Sequence, residues 1–282
     1  MRRTLVSIGA LTALVLGLLT ALPAGAITDG VPDGNGHPYV GLMVAQDAKG
    51  NPQWRCSGTL IAPRLFLTAG HCTEAPAAHI EIWFAPGPIE LAPGYPATGS
   101  NRCAGITGYP CTGDVGGTPY THPQYDPNAF WLHDLGVVVL DRSMKMKTYG
   151  ALPALNQLDA LKPSSSTIFT AVGYGLQKAF PPAAEWKDAA TRIRMVAYPH
   201  LVQINTGFTG DGTLVLSNNA STGGTCFGDS GGPNFVGRTN VIGGVTSFGL
   251  NWTCGGTGGV YRVDRSDDLD WLYGAFGHLL PR

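Results

Sequence analysis

The sequence predicts an all-β protein of many short strands, closed by one helix at its C-terminal end. Three observations carry this expectation. Glycine supplies 40 of 282 residues and proline 21, while charged residues make up only 13%. That is a composition of tight turns between apolar strands. Apolar residues run in short, partly alternating segments, and only past residue 265 does their period become helical. The formal net charge of −1 points neither to nucleic acid nor to an anionic membrane surface.

In chain order, Met1-Arg2-Arg3 and the apolar run to Leu22 read as an export leader (residues 1–26), with Ala24-Gly25-Ala26 as its cleavage pattern. An uncleaved anchor is the alternative, since the run borders the roughly 20 residues a membrane span needs. A cleaved leader predicts a secreted, extracellular chain beginning at Ile27, with no stable membrane association afterwards. A short leader without an evident propeptide suits a bacterial source. Segments 39–46, 57–62 and 79–84 read as strands. Residues 85–127, rich in Pro and Gly, read as a long loop or insertion. Residues 135–140 form an apolar run suited to a buried strand, and 143–161 a crossover linker. Segments 167–172, 192–197, 213–217, 241–248 and 258–263 form a second strand-rich half. Ser266 is placed as helix N-cap, with Asp267 and Asp268 in the first turn and Leu269, Leu272, Tyr273, Phe276 and Leu280 on one face.

Six Cys follow the leader, and an even count in an oxidising compartment predicts disulfides, although spacing alone leaves every pairing open. There is no Cys-x-x-Cys and no His-x-x-x-His, so no metal or other cofactor is expected.

Two segments carry chemistry. Thr68-Ala69-Gly70-His71-Cys72 follows an apolar strand, and Gly228-Asp229-Ser230-Gly231-Gly232-Pro233 forms a Gly-rich turn. A Ser hydroxyl needs a neighbouring base to become a nucleophile. A His titrating near neutrality is that base, and a buried carboxylate must fix its tautomer. A phosphate-cradling turn is disfavoured, because no Gly-Lys-Ser/Thr follows.

These segments resemble the TAxHC and GDSGGP signatures of the chymotrypsin/trypsin-like serine protease family (peptidase family S1). Further matches follow in order: His122-Pro123-Gln124-Tyr125, His133-Asp134-Leu135-Gly136, Val172-Gly173-Tyr174-Gly175, Thr246-Ser247-Phe248-Gly249 and Gly258-Gly259-Val260-Tyr261. The resemblance implies two six-stranded antiparallel β-barrels with the active site between them, an N-terminal one over 27–145 and a C-terminal one with the helix over 146–282. Together residues 27–275 would form one peptidase domain. It implies that His71 is the general base, Asp134 orients it, and Ser230 attacks the carbonyl to form an acyl-enzyme. The N–H groups of Gly228 and Ser230 would make the oxyanion hole. Cys56 would pair with Cys72 and Cys226 with Cys254, leaving Cys103 and Cys111 to close a local loop.

The same resemblance assigns Asp229 to an ion pair with a freed Ile27 ammonium. It also puts Gly224 at the pocket base, where trypsin-like enzymes carry Asp. With Thr225, Ser247, Phe248, Gly249 and Gly259 as lining, the slot is expected to be open, deep and uncharged, favouring large apolar or aromatic side chains before the cut bond. The expected partner is a polypeptide substrate, with a protein inhibitor as a further candidate, and the chain is expected to be a monomer. The other readings are a catalytically silent binding protein on the same fold and an ester hydrolase.

Overall fold

The computed structural model describes residues 27–177, 191–207, 209–251 and 253–281. The expected leader therefore lies outside the described residues. Among those residues no helix is long and apolar enough to cross a membrane.

Six strands close the first barrel: β2 (Val40–Gln46), β3 (Pro52–Ala62), β4 (Leu65–Thr68), β5 (His79–Trp83), β6 (Val115–Thr121) and β7 (Gly136–Leu140). They neighbour one another antiparallel in the ring β2-β3-β4-β7-β6-β5. The short β1 (Val31–Pro32) pairs instead with the second half, onto β9 (Met195–Ala197). That second half adds β8 (Ser164–Gly173), β10 (His200–Ile204), β11 (Thr213–Asn218), β12 (Pro233–Val236), β13 (Ile242–Gly249) and β14 (Gly256–Arg262). Pairing of β12 back onto β8 closes it into the second six-stranded barrel, with β9 beside β8.

The strands form where apolar residues can be buried on a pleated sheet, and β2 and β4 are buried along their whole length. In the first barrel Leu42, Leu60, Phe66, Leu67, Ile80, Ile82 and Val137 are fully buried. Each such side chain contributes about 1.5–3 kcal/mol. β3 is longer than the 57–62 expected, because its polar start, Pro52 to Arg55, is held by register with β2 rather than by an apolar pattern. The stretch 85–127 is not all loop. β6 runs through it, and its Gly116, Gly117 and Pro119 become strand because β5 and β7 pair with both of its edges. The C-terminal helix α1 spans Ser266–Phe276, with Arg265 in the extended N-cap conformation and making no side-chain cap. Ser266 is thus the first helical residue rather than the cap, and Leu280 lies beyond the helix.

Two buried arginines lock the architecture. Arg194 donates to Asp33 Oδ2 (2.9 Å) and Gly34 O (2.8 Å) of the N-terminal segment, to Val40 O (3.2 Å) and Phe84 O (3.0 Å) of the first barrel, and to Tyr174 Oη (3.1 Å) of the second. Arg262, equally buried, is clamped by Asp264 (2.8 Å) and Asp159 (2.7 Å). Asp33 loses solvation by burial, yet bonds and charge from His37, with the bond from Arg194, hold its carboxyl below the ordinary range.

Candidate active site

His71 stands in a 3₁₀ turn, Gly70–Cys72, directly after β4. Asp134 precedes β7, which pairs with β4 through Thr68↔Gly136, so one ladder brings His71 and Asp134 together. Asp134 is fully buried and accepts from His71 three ways, at Oδ2 from Nδ1 (2.9 Å), at Oδ1 from Nδ1 (3.1 Å) and at Oδ1 from the His71 backbone N–H (2.9 Å). Ser247 Oγ, from β13 of the other barrel, donates to the same Oδ2 at 2.6 Å. The carboxylate therefore fixes the imidazole with Nδ1 as donor and leaves Nε2 free to take a proton. Burial alone would lower the His71 pKa, but the Asp134 charge and hydrogen bond outweigh it and hold the imidazole above its ordinary value.

Ser230 lies on the turn leading into β12, and that turn is tied to the first barrel through Ser57. The Ser57 N–H donates to Ser230 O (2.8 Å), and its Oγ donates to Gly228 O (3.0 Å) while accepting from Tyr174 N–H (3.0 Å). Gly231 has φ +74°, and a Cβ there would stand 2.0 Å from Thr68 Oγ1, so only glycine permits the turn to approach β4. Gly228 has φ +94°, the left-handed region in which glycine alone is unstrained. The Ser230 hydroxyl makes no hydrogen bond among the described residues. Catalytic hydrogen bonds of this kind are commonly long before substrate arrives. A groove of about 300 Å³ passes the site, lined by His71, Glu74, Tyr125, Pro127, Phe130 and Ser247.

Asp229, next to Ser230 in the chain, is fully buried. Its Oδ1 accepts from Gly175 N–H (2.7 Å) and its Oδ2 from Cys226 N–H (2.9 Å). Burial is the largest influence and pushes its pKa up to about 7, against those bonds and the Arg55 charge. Ile27 is also fully buried, packed on Ala171, Met195 and Ala197; Ala171 belongs to β8, whose last residue Gly173, with Gly175 beyond it, crowds Asp229.

The pocket residues stand closer together than their small size implies. A Cβ on Gly224 would meet Asn218 at 2.2 Å, and one on Gly259 would meet the Phe248 ring at 2.3 Å. The Phe248 ring thus stands against Gly259, in the space that a side chain at 259 would need. Asn218 is held there by Thr28 Oγ1 (2.7 Å) and donates to Thr225 O (2.8 Å). Ser247, expected as lining, spends its hydroxyl on Asp134. Ser57, Arg55 and Asn218 were not singled out from the sequence. Only the place of Arg55 and Ser57 beside Cys56 could have flagged two of them.

Disulfides join Cys56–Cys72, Cys103–Cys111 and Cys226–Cys254. The first closes a separation of 16 residues around the His loop, worth about 3 kcal/mol if chain entropy dominates. Its sulfurs lie near His71 but, being bonded to each other, offer no thiolate to a metal. His122, His133 and Asp268 gather ligand atoms within 4.8 Å. Gln124 N–H donates to His122 Nδ1 (3.2 Å), which puts the ring proton on Nε2 and leaves no lone pair facing that group.

The fold and this constellation define a chymotrypsin-like serine protease domain. The family model described as Trypsin matches residues 31–271, and the chain belongs to that family. It is 29% identical over 249 residues to CLIP domain-containing serine protease B10 of Anopheles gambiae, covering 83% of this chain and 65% of that protein. It is 28% identical over 259 residues to phenoloxidase-activating factor 1 of Holotrichia diomphalia, covering 84% and 66%. The chain thus spans just under two thirds of the length of these relatives. The solved structure of HL collagenase superposes with a TM-score of 0.64 at 20% identity, over 89% of this chain and 99% of that one. The relatives are mostly insect proteins, so a bacterial source, expected from the short leader, is not supported.

Proposed function

We propose that the chain is an active, secreted serine endopeptidase. The reading rests on one observation: a buried carboxylate, shared by His71 and Ser247, that fixes the imidazole on one barrel beside a Gly-Asp-Ser-Gly turn pinned by Ser57 on the other. His71 Nε2 takes the Ser230 proton as Oγ attacks the peptide carbonyl, and Asp134 stabilises the imidazolium so formed. The N–H groups of Gly228 and Ser230 receive the oxyanion, each donor being worth ~3–4 kcal/mol in the transition state. His71 then protonates the leaving amine, and water hydrolyses the acyl-enzyme by the reverse sequence.

No charged side chain is among the pocket residues Gly224, Thr225, Ser247, Phe248, Gly249 and Gly259. The side chain before the cut bond then meets backbone and an aromatic ring, which supports a preference for large apolar or aromatic residues there. The Ile27 ammonium, freed by leader cleavage after Ala26, pairs with Asp229 and shapes the oxyanion turn. The released enzyme acts as a monomer. N-terminal sequencing of the secreted active form tests the start, and full activity from any other first residue sinks it.

The principal test is labelling with a peptidyl phosphonate, using Ser230→Ala as control. Labelling of the wild type alone, with cleavage of a peptide library, is expected. A wild type that folds but neither labels nor cleaves favours the silent binding protein, and labelling with ester but no peptide turnover favours the esterase.

A further inference from the structure

A cavity of about 670 Å³ adjoins the catalytic turn and shares no lining residue with the groove past His71 and Ser247. Strand β3 contributes Trp54 and Arg55 to its wall, the segment between β5 and β6 contributes Tyr95, Arg102 and Tyr109, and Arg192 closes it from the second half. Arg55 connects it to the reaction centre, since a Cβ on Gly228 would stand 3.3 Å from its Nε.

The other two guanidiniums are mounted alike. Arg102 lies 4.4 Å over the Tyr95 ring and donates Nε to Pro96 O (3.0 Å). Arg192 lies 4.8 Å over the Tyr109 ring and donates Nε to Ile89 O. The aromatic face and the carbonyl fix each fork while its terminal N–H groups have no hydrogen-bonded partner among the described residues. Among those residues neither has a carboxylate partner, whereas Arg194, Arg262 and Arg265 each have one. No Asp or Glu lines the cavity. The Cys103–Cys111 disulfide brackets the segment carrying Tyr109, and Arg102 immediately precedes it. That cross-link gives the otherwise unassigned insertion a rigid frame.

A peptide bound for cleavage must cross the Gly228 N–H. With the acyl side assigned above to the pocket residues at Ser247–Gly249, beside the groove at Phe130, the other direction from Gly228 leads by Arg55 to this cavity. We propose that the cavity binds the leaving-group side of the substrate, with Arg102 and Arg192 reading acidic side chains a few residues beyond the cut bond. This rests on the protease reading above. Fork-shaped, partly desolvated guanidiniums favour carboxylate by bidentate pairing.

The test compares two fluorogenic peptides identical up to the cut bond and carrying either Glu-Glu or Gln-Gln after the first leaving-group residue. A nitrophenyl ester with nothing beyond its leaving group is the reference. The acidic peptide is expected to show kcat/KM on the order of tenfold higher at low salt, shrinking in high salt. Arg102→Gln/Arg192→Gln should bring the two peptides to parity with ester hydrolysis unchanged, the ester rate certifying that the variant folds. Arg102→Lys, which keeps the charge but loses the fork and its stacking on Tyr95, should retain only part of the preference, and Arg102→Glu/Arg192→Glu should reverse it in favour of a Lys-Lys counterpart. Equal turnover of both peptides by the wild type, or an acidic preference that survives the double Gln variant, overturns the proposal. So does a cavity that binds a sulfated oligosaccharide without any acidic peptide preference. A wild type inert towards ester and peptides alike overturns the protease reading and this one with it.

Discussion

Asp134 is the residue on which the candidate site turns, because it is fully buried and both partners of its Oδ2 come from different barrels. Its charge, with its hydrogen bond, overcomes the effect of burial on His71 and raises that pKa. A general base must be neutral to act, so the acid limb of the kcat/KM profile should have its midpoint above 6.5, the ordinary imidazole value. Asp134→Asn should move that midpoint down and lower kcat by ~10⁴. A profile whose midpoint stays put in the variant would contradict this account. The linkage has a fixed sign: the folded pKa is raised, so the pair's stabilisation is complete in acid and lost as pH rises through it. Ser247→Ala should cost about 1–3 kcal/mol in chemical denaturation, since it leaves a buried carboxylate oxygen short of a donor. It should lower kcat more than it raises KM if the hydroxyl serves Asp134 rather than substrate. At this scale the sequence was legible where chemistry needs a motif, at His71 and Ser230. It was silent at Ser57 and Asn218, whose roles come from partners 171 and 190 residues away.

Strands were legible where one face is apolar and the other polar, and illegible where pairing alone makes them. β7, a continuous apolar run, is visible in the sequence. β6 is not, because Val-Gly-Gly-Thr-Pro-Tyr-Thr carries turn residues that only two flanking ladders hold extended. β10 and β12 were missed for a similar reason, their short polar-containing stretches being fixed by neighbours on both sides. Arg194 shows what joins such elements. It lies directly before β9, is fully buried, and bonds to β2, to the end of β5, to Tyr174 and to the N-terminal segment. Arg194→Met keeps much of the packing volume but strands the buried Asp33 carboxylate and several carbonyls. It should therefore destabilise the fold by about 3–5 kcal/mol in denaturant titration. Asp33→Asn in the same background should recover part of the loss, because it removes the charge left without its guanidinium. No recovery in the double variant would mean that packing, not charge, is what Arg194 supplies.

At the scale of the whole molecule, both barrels reach Asp229, the first through the Arg55 charge and the second through Gly173, Gly175 and Cys226. Both of its hydrogen bonds come from backbone N–H groups, and burial still pushes its pKa up to about 7 from an ordinary 3.8. A group whose folded pKa lies above its unfolded one stabilises most when protonated. In a chain with Gly25-Ala26 still ahead of Ile27, the Asp229 contribution to stability should thus be largest below pH 4 and fall by up to about 4 kcal/mol as pH rises through 7. If the freed Ile27 ammonium pairs with Asp229, the form beginning at Ile27 should keep that stability through neutrality. It should lose it only above about pH 8, where an α-ammonium ordinarily gives up its proton. Thermal melts of both forms across pH, each carrying Ser230→Ala to prevent self-cleavage, read the difference directly. The gap in Tm should be small in acid, widest between neutrality and the ammonium pKa, and closed again in alkali. A gap constant with pH would mean that the new terminus acts by packing alone, and that Asp229 is held ionised by Arg55 and the turn itself.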